Sequence, residues 1–131
     1  MKIIMSKNKK DPRYYMNKKQ LKMYYQTLVP IIKAIAMEYG YAVAIHGSMT
    51  RDLDIMAMPW VKNAKAPESL AIAIMKKVLV FENGLSGHSY TRKYWKENRD
   101  SGKPHGRLTY AIPAKQNAYI DLSVMPRKKG L

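Results

Sequence analysis

Apolar side chains recur at steps of three and four residues between Lys18 and Tyr39, which is the spacing of one face of a helix. The residues on that face are Leu21, Tyr25, Leu28, Ile32, Ile35 and Tyr39. Gly40 follows at once and is a natural C′ residue to end the helix. Pro30 lies inside the pattern and either kinks the helix or begins a second one. The spacing thus predicts a long amphipathic element before residue 40.

Four short segments further along have the composition or the alternation of β-strands. They are residues 41–45, 53–58, 107–113 and 118–125, and the last two are predicted to form a hairpin through 114–117. Between the second and third strands, a helix is predicted to begin near Pro67. Residues 81–106 are predicted to be a long binding loop or lid. The expected fold class is α/β (α+β): a small mixed β-sheet flanked by helices.

The length of 131 residues fits one domain. We expect a basic flexible arm at 1–17, the domain at 18–126 and a basic tail at 127–131. The absence of cysteine excludes disulfides and thiolate zinc sites and fits a reducing cytoplasm. Pro30, Lys33, Glu38 and Gly40 interrupt the most apolar stretch, residues 28–45, so it is a poor membrane span. The N-terminus also lacks the hydrophobic core of a secretory signal, so a soluble protein without membrane contact is expected.

Positive charge dominates the chain, since 24 Lys and Arg against 9 Asp and Glu give a net charge of +15. The bases cluster in residues 2–22, 92–107 and 127–129, and tyrosine and tryptophan interleave the first two clusters. Basic groups together with aromatic rings are typical of nucleic-acid surfaces. The candidate contacts are Lys18, Lys19, Arg92, Lys93, Lys103 and Arg107. The alternative is a solvated basic face without a specific ligand.

Three aspartates stand where strands are predicted, although aspartate is a poor strand former. Asp52 and Asp54 are one residue apart and would project to the same side of a strand. Asp121 faces away from the core side of the last strand. If these two strands are neighbours, the three carboxylates converge on a divalent-metal site. The alternative is ordinary structure, in which Asp52 caps a turn and Asp121 pairs with an arginine.

The order of these motifs resembles the DNA polymerase β-type nucleotidyltransferase superfamily in its minimal, single-domain form. The shared features are the Gly47-Ser48 turn, the Asp52-x-Asp54 strand and a later strand that carries Asp121. Residues 46–54, 103–107 and 119–126 also resemble segments of short phage proteins with an HGSxxRDLD core. The second resemblance implies action in the cytoplasm of a bacterial host.

The superfamily resemblance implies roles for individual residues. Gly47 and Ser48 would hold the β- and γ-phosphates of an incoming NTP. Asp52 and Asp54 would bridge two Mg²⁺ or Mn²⁺ ions, and Asp121 would complete the metal site and favour deprotonation of the attacking hydroxyl. The implied activity is transfer of a nucleoside monophosphate from the NTP to a hydroxyl of nucleic acid or protein, so a host protein is a candidate partner.

One feature departs from the superfamily pattern. Only Met49, Thr50 and Arg51 separate the Gly-Ser turn from Asp52, where the family has a longer segment with a helical turn. Arg51 is either a replacement phosphate contact or half of a surface salt bridge. Two other functions remain open: a catalytically inactive module of this fold that binds nucleic acid or a host protein, and a metal-dependent phosphodiesterase.

Overall fold

The computed structural model describes residues 11, 13, 15–83, 99–100 and 106–126. It contains α1 (Lys18–Glu38), β1 (Tyr41–His46), β2 (Leu53–Pro59), α2 (Pro67–Asn83), β3 (Arg99–Asp100), β4 (Leu108–Pro113) and β5 (Tyr119–Val124). The predicted mixed α+β class is confirmed. The four predicted strands and both predicted helices are present, with boundaries shifted by one or a few residues.

Helix α1 begins with a reciprocal capping box. The Asn17 side chain accepts from the Gln20 backbone N–H, and the Gln20 side chain accepts from the Asn17 backbone N–H, so two donors that the first turn leaves free are satisfied. Pro30 lies inside a single helical span and begins no second helix. At the other end, Gly40 adopts a φ of +86°, and a Cβ there would lie 2.8 Å from the Ala64 Cα. Glycine is therefore required at this helix end, as predicted.

The five strands form one sheet in the order β1-β2-β5-β4-β3. Strands β2 and β5 are parallel neighbours, whereas the β1/β2, β4/β5 and β3/β4 pairs are antiparallel. The predicted hairpin between β4 and β5 is confirmed. The predicted loop at 81–106 is wrong at two points: α2 continues to Asn83, and residues 99–100 form β3. Residues 84–98 and 101–105 lie outside the described part of the chain.

One face of the sheet packs against the helices to form a single core. Leu53, Ile55 and Ala57 of β2 alternate with Asp54, Met56 and Met58, and only the first three are fully buried. Strand β5 follows the same rule, with Ile120 and Leu122 buried and Asp121 half-buried between them. Because side chains alternate along a strand, the polar positions of β2 and β5 fall on the face opposite the core.

The end of the predicted arm packs on the domain. Met16 is only 7% exposed. Its backbone N–H donates to the Asn117 Oδ1 over 2.6 Å, and its carbonyl accepts from the Asn117 Nδ2 over 3.2 Å. The packed domain therefore includes Met16 and begins at or before Tyr15 or Met16. The basic arm had been predicted to continue to residue 17. In the described residues, neither helix combines the length and the apolar character needed to cross a bilayer.

Candidate metal centre

Three carboxylates meet at one end of the sheet. Asp54 and Asp121 are register partners on the parallel strands β2 and β5, and Asp52 is the residue immediately before β2. One carboxylate oxygen from each of the three lies within 4.8 Å of the others. The predicted convergence is confirmed, although Asp52 stands just outside the strand. Hard divalent cations prefer oxygen ligands, so this cluster has the composition needed to bind a metal ion.

The electrostatics of the cluster favour a cation. The pKa of Asp54 is raised above its usual value, first by partial burial and then by the negative charges of Asp52 and Asp121. His46, the register partner of Asp54 on β1, acts in the opposite direction. Like charges this close oppose each other's ionisation. A bound cation would remove that repulsion.

The Gly-Ser turn lies directly against this cluster. Gly47 has a φ of +83°, and a Cβ at this position would lie 2.9 Å from the Asp54 Oδ2. Met49 also has a positive φ, at +61°. The Ser48 and Thr50 hydroxyls are hydrogen bonded to each other, with their oxygens 2.7 Å apart. The turn is therefore tightly curved, and glycine is needed both for the backbone conformation and for the close approach to Asp54.

Tyr25 connects the two chain segments that carry the acids. Its ring is fully buried in α1, and its hydroxyl donates to the carbonyl oxygen of Arg51 over 2.7 Å. The Tyr25 hydroxyl oxygen also accepts a hydrogen bond from the backbone N–H of Tyr119 over 3.1 Å. Arg51 is the neighbour of Asp52, and Tyr119 is two residues from Asp121. One hydroxyl thus sets the spacing between the entry to β2 and the start of β5.

Tyr119 supports the cluster from the open side. The pKa of Tyr119 is raised first by partial burial and then by the negative charge of Asp52 and a hydrogen-bonding interaction with that carboxylate. Because a neutral phenol is a donor and a carboxylate is an acceptor, Tyr119 is placed to orient Asp52. Tyr119 shares its face of β5 with Asp121, as the two-residue period predicted.

A cleft of about 600 Å³, which we term the acidic cleft, opens beside the carboxylates. It is lined by Tyr15, Met16, Lys18, Leu21, Gly47, Ser48, Thr50, Arg51, Asp52, Asp54, Asn117 and Tyr119. Its volume falls within the range of small-molecule sites. The predicted nucleotide contacts Gly47, Ser48 and Arg51 thus share one cavity with two of the predicted metal ligands.

The predicted nucleic-acid contacts are distributed unevenly. Lys18 lines the acidic cleft, whereas Lys19 is exposed on α1 and is not among its lining residues. Arg107 precedes β4, whose first residue Leu108 pairs with Val124, so it lies near the end of β5 that is remote from Asp121. Arg92, Lys93 and Lys103 lie outside the described residues. Of the described candidates, only Lys18 is brought to the site.

Sequence patterns missed several residues of this centre. Tyr25 fits the apolar stripe of α1, and nothing in that stripe reveals the partners of its hydroxyl. Asn117 was predicted only as a turn residue, yet it fixes Met16, 101 positions earlier in the chain. Thr50 had no role, although a hydroxyl two residues after Ser48 was an available signal. The contacts of Tyr25 and Asn117 join distant segments, and the periodicity of side chains carries no information about them.

Comparisons of this chain with protein-family models, with characterised proteins and with solved structures give no match. The residues of the acidic cleft and their geometry must therefore carry any inference about function.

Proposed function

We propose that this protein is a Mg²⁺-dependent nucleotidyltransferase that moves a nucleoside monophosphate from an NTP to a hydroxyl of nucleic acid or protein. One observation carries the proposal: a positive-φ glycine turn packs directly against a cluster of three carboxylates. Gly47 leaves room for nothing larger than hydrogen beside the Asp54 carboxylate. A ligand held by a metal ion on Asp52, Asp54 and Asp121 would also touch this turn, which is the arrangement that a nucleoside triphosphate needs.

The donor set supports magnesium, with manganese as the substitute. All three side chains of the cluster supply oxygen, and all three are half-buried rather than enclosed. Magnesium is usually held by a few carboxylates, and water and substrate phosphates fill its other positions. When bound, a pair of such ions would stabilise the negative charge on the attacking and leaving oxygens of an in-line displacement.

The side chains of the cleft would then bind and orient the nucleotide. The backbone of Gly47 and Ser48 and the guanidinium of Arg51 would contact the β- and γ-phosphates, and Lys18 lines the same cavity. Guanidinium groups match phosphate oxygens in geometry and charge. Arg51 thereby offsets the short connection between turn and strand. Asp121 is assigned the role of favouring loss of the proton from the attacking hydroxyl.

The decisive experiment incubates the protein with α-labelled NTPs, Mg²⁺ and mixed acceptors, and follows transfer of label to RNA, DNA or protein. We expect transfer that requires Mg²⁺ and falls by at least about a thousandfold in Asp54→Asn, since removal of a metal ligand disables positioning and charge stabilisation together. Glu38→Gln makes the same change of charge on an exposed residue outside the acidic cleft and should retain full activity. Transfer that is unaffected by Asp54→Asn would contradict the proposal.

The net charge of +15 favours a second candidate, an inactive module of this fold that grips nucleic acid or a host protein. Such binding would be steeply salt-dependent, because each phosphate contact releases counterions. Nucleic-acid affinity that persists when all three aspartates are replaced by asparagine, without label transfer in the wild type, would favour this candidate. Cleavage of RNA or DNA without any NTP would instead indicate a phosphodiesterase.

A further inference from the structure

The residues that line the acidic cleft are of two chemical kinds. Polar and charged groups come from the Gly-Ser turn, Thr50, Arg51, Asp52 and Asp54. Rings and aliphatic groups come from Tyr15, Met16, Leu21 and Tyr119. Tyr15 is 36% exposed and Tyr119 is 37% exposed, so each ring presents free surface. A ligand that fills the cleft would therefore meet both carboxylates and aromatic rings.

Hydrogen bonds anchor the backbone beside both tyrosines. Asn117 holds the backbone of Met16, the neighbour of Tyr15, through two hydrogen bonds. The backbone N–H of Tyr119 donates to the Tyr25 hydroxyl over 3.1 Å. Rings on an anchored backbone lose less conformational entropy when a ligand stacks on them.

We propose that Tyr15 and Tyr119 form a wall on which the base of the nucleotide stacks, and that this wall accepts all four bases. The inference rests on the proposed function, because it assigns the base of the proposed nucleotide substrate to the aromatic lining of the same cleft. Stacking on an aromatic face tolerates any base, since every base has a π-face. The enzyme would then select a nucleotide by its triphosphate and its flat ring.

The lack of base discrimination follows from the engagement of Asn117. Reading a base requires hydrogen bonds to its edge, and amide side chains commonly supply them. Among the described residues that line the acidic cleft, Asn117 carries the single side-chain amide. Its oxygen accepts from the Met16 N–H and its nitrogen donates to the Met16 carbonyl. The amide oxygen and one amide N–H are therefore engaged with the Met16 backbone, which fixes the orientation of this side chain within the protein.

The test measures binding by calorimetry in the presence of Mg²⁺. The probes are α,β-methylene analogues of ATP, GTP, CTP and UTP, which resist transfer, and ribose 5-triphosphate, which lacks the base. We expect the affinities of the four analogues to lie within about tenfold of one another, with the purine analogues binding more tightly. Each analogue should bind at least about tenfold more tightly than ribose 5-triphosphate. Tyr15→Leu should abolish most of that difference, whereas Tyr15→Phe, which keeps the ring, should preserve it.

The possible results distinguish failure of the stacking wall from failure of the proposed function. If ribose 5-triphosphate binds as tightly as the complete analogues, the wall is wrong and the proposed function stands. A preference above about a hundredfold for one base would also overturn the inference, because it demands hydrogen bonding to the base edge. If none of the five probes binds in the presence of Mg²⁺, both the proposed function and this inference are wrong.

Discussion

The hydroxyl of Tyr25 donates to the carbonyl oxygen of Arg51 across 2.7 Å, although the two residues lie 26 positions apart. The same hydroxyl accepts from the backbone N–H of Tyr119. Since the Tyr25 ring is fully buried, these two bonds satisfy polar groups that have little access to water. The bonds join the residue before Asp52 to the strand of Asp121. Tyr25 is thus placed to position, through the backbone, the segments on either side of the candidate metal centre.

Tyr25→Phe should destabilise the protein and weaken its metal affinity together. The phenylalanine ring fills the same space, but the Arg51 carbonyl and the Tyr119 N–H lose their partner. A buried polar group left without a partner costs about 1–3 kcal/mol. Urea unfolding should show a loss of about that size, and calorimetric titration with Mg²⁺ should show affinity reduced by about tenfold.

Tyr41→Phe is the matched control for that variant. The Tyr41 hydroxyl donates to the Lys65 carbonyl oxygen, also over 2.7 Å, at the start of β1 and remote from the acids. The Tyr41→Phe variant removes the same kind of bond, so the protein should again lose stability. Its Mg²⁺ affinity should be unchanged. Equal losses of metal affinity in both variants would show that general destabilisation, and not positioning, explains the effect of Tyr25.

The ionisation of Tyr25 predicts a loss of stability at high pH. Burial raises its pKa to about 12, although the Tyr119 N–H acts in the opposite direction. In the unfolded chain tyrosine ionises near pH 10. The unfolded state therefore releases this proton first, so the stabilisation is complete below pH 10 and is lost as pH rises towards 12. Unfolding curves of the wild type and Tyr25→Phe should converge over this interval, and a constant difference between them would contradict the assignment.

Gly47→Ala should disturb the metal centre more than an equally strained glycine substitution elsewhere. A methyl group at Gly47 would lie 2.9 Å from the Asp54 Oδ2, so the carboxylate must move. Gly106 has a similar positive φ of +70°, but a methyl group there would lie 3.7 Å from the Pro126 Cγ, the nearest atom among the described residues. Both variants should lose about 1–2 kcal/mol in unfolding experiments. Only Gly47→Ala should also lose Mg²⁺ affinity, by about tenfold.

The sequence predicted the face on which the strand acids lie, because the rule involved is local. In β5, Ile120 and Leu122 are apolar and Asp121 stands between them, so a two-residue period suffices to place it opposite the core. The same rule placed Asp54 between Leu53 and Ile55. The helix boundaries at Gly40 and Pro67 were likewise predictable, since each depends on the backbone preference of one residue.

What the sequence could not supply was the pairing of distant segments. The convergence of the acids required β2 and β5 to be neighbours, and their parallel register depends on the whole fold. The hydrogen-bond partners of Tyr25 lie 26 and 94 positions away in the chain, and that of Asn117 lies 101 positions away. Strand β3 has two residues, Arg99 and Asp100, neither of them apolar. It gives no hydrophobic alternation, so pairing with β4 alone defines it.

Asn117→Ala should release the segment before α1 while the helix itself remains. Met16 would lose both of its backbone hydrogen bonds to the Asn117 side chain. The capping box between Asn17 and Gln20 does not involve Asn117 and should persist. Hydrogen exchange should accelerate at Met16 by at least about tenfold, with little change within α1. Lys115→Ala in the same turn is the control and should leave exchange at Met16 unchanged.

Asp54→Asn should stabilise the metal-free protein near neutral pH and abolish its response to magnesium. Burial and the charges of Asp52 and Asp121 raise the pKa of Asp54, so its ionised form is disfavoured in the fold. Stability of the wild type therefore falls as pH rises from the unfolded value of about 3.9 through the raised folded value. Asparagine removes this penalty, and its advantage in thermal unfolding should vanish below about pH 4.

Saturating Mg²⁺, at about 100 times the dissociation constant, should stabilise the wild type by about 2.7 kcal/mol and the variant not at all. Glu38→Gln, which removes an exposed acid, should neither raise the melting temperature nor alter the magnesium response. A variant that still gains stability with Mg²⁺ would show that the cation binds elsewhere.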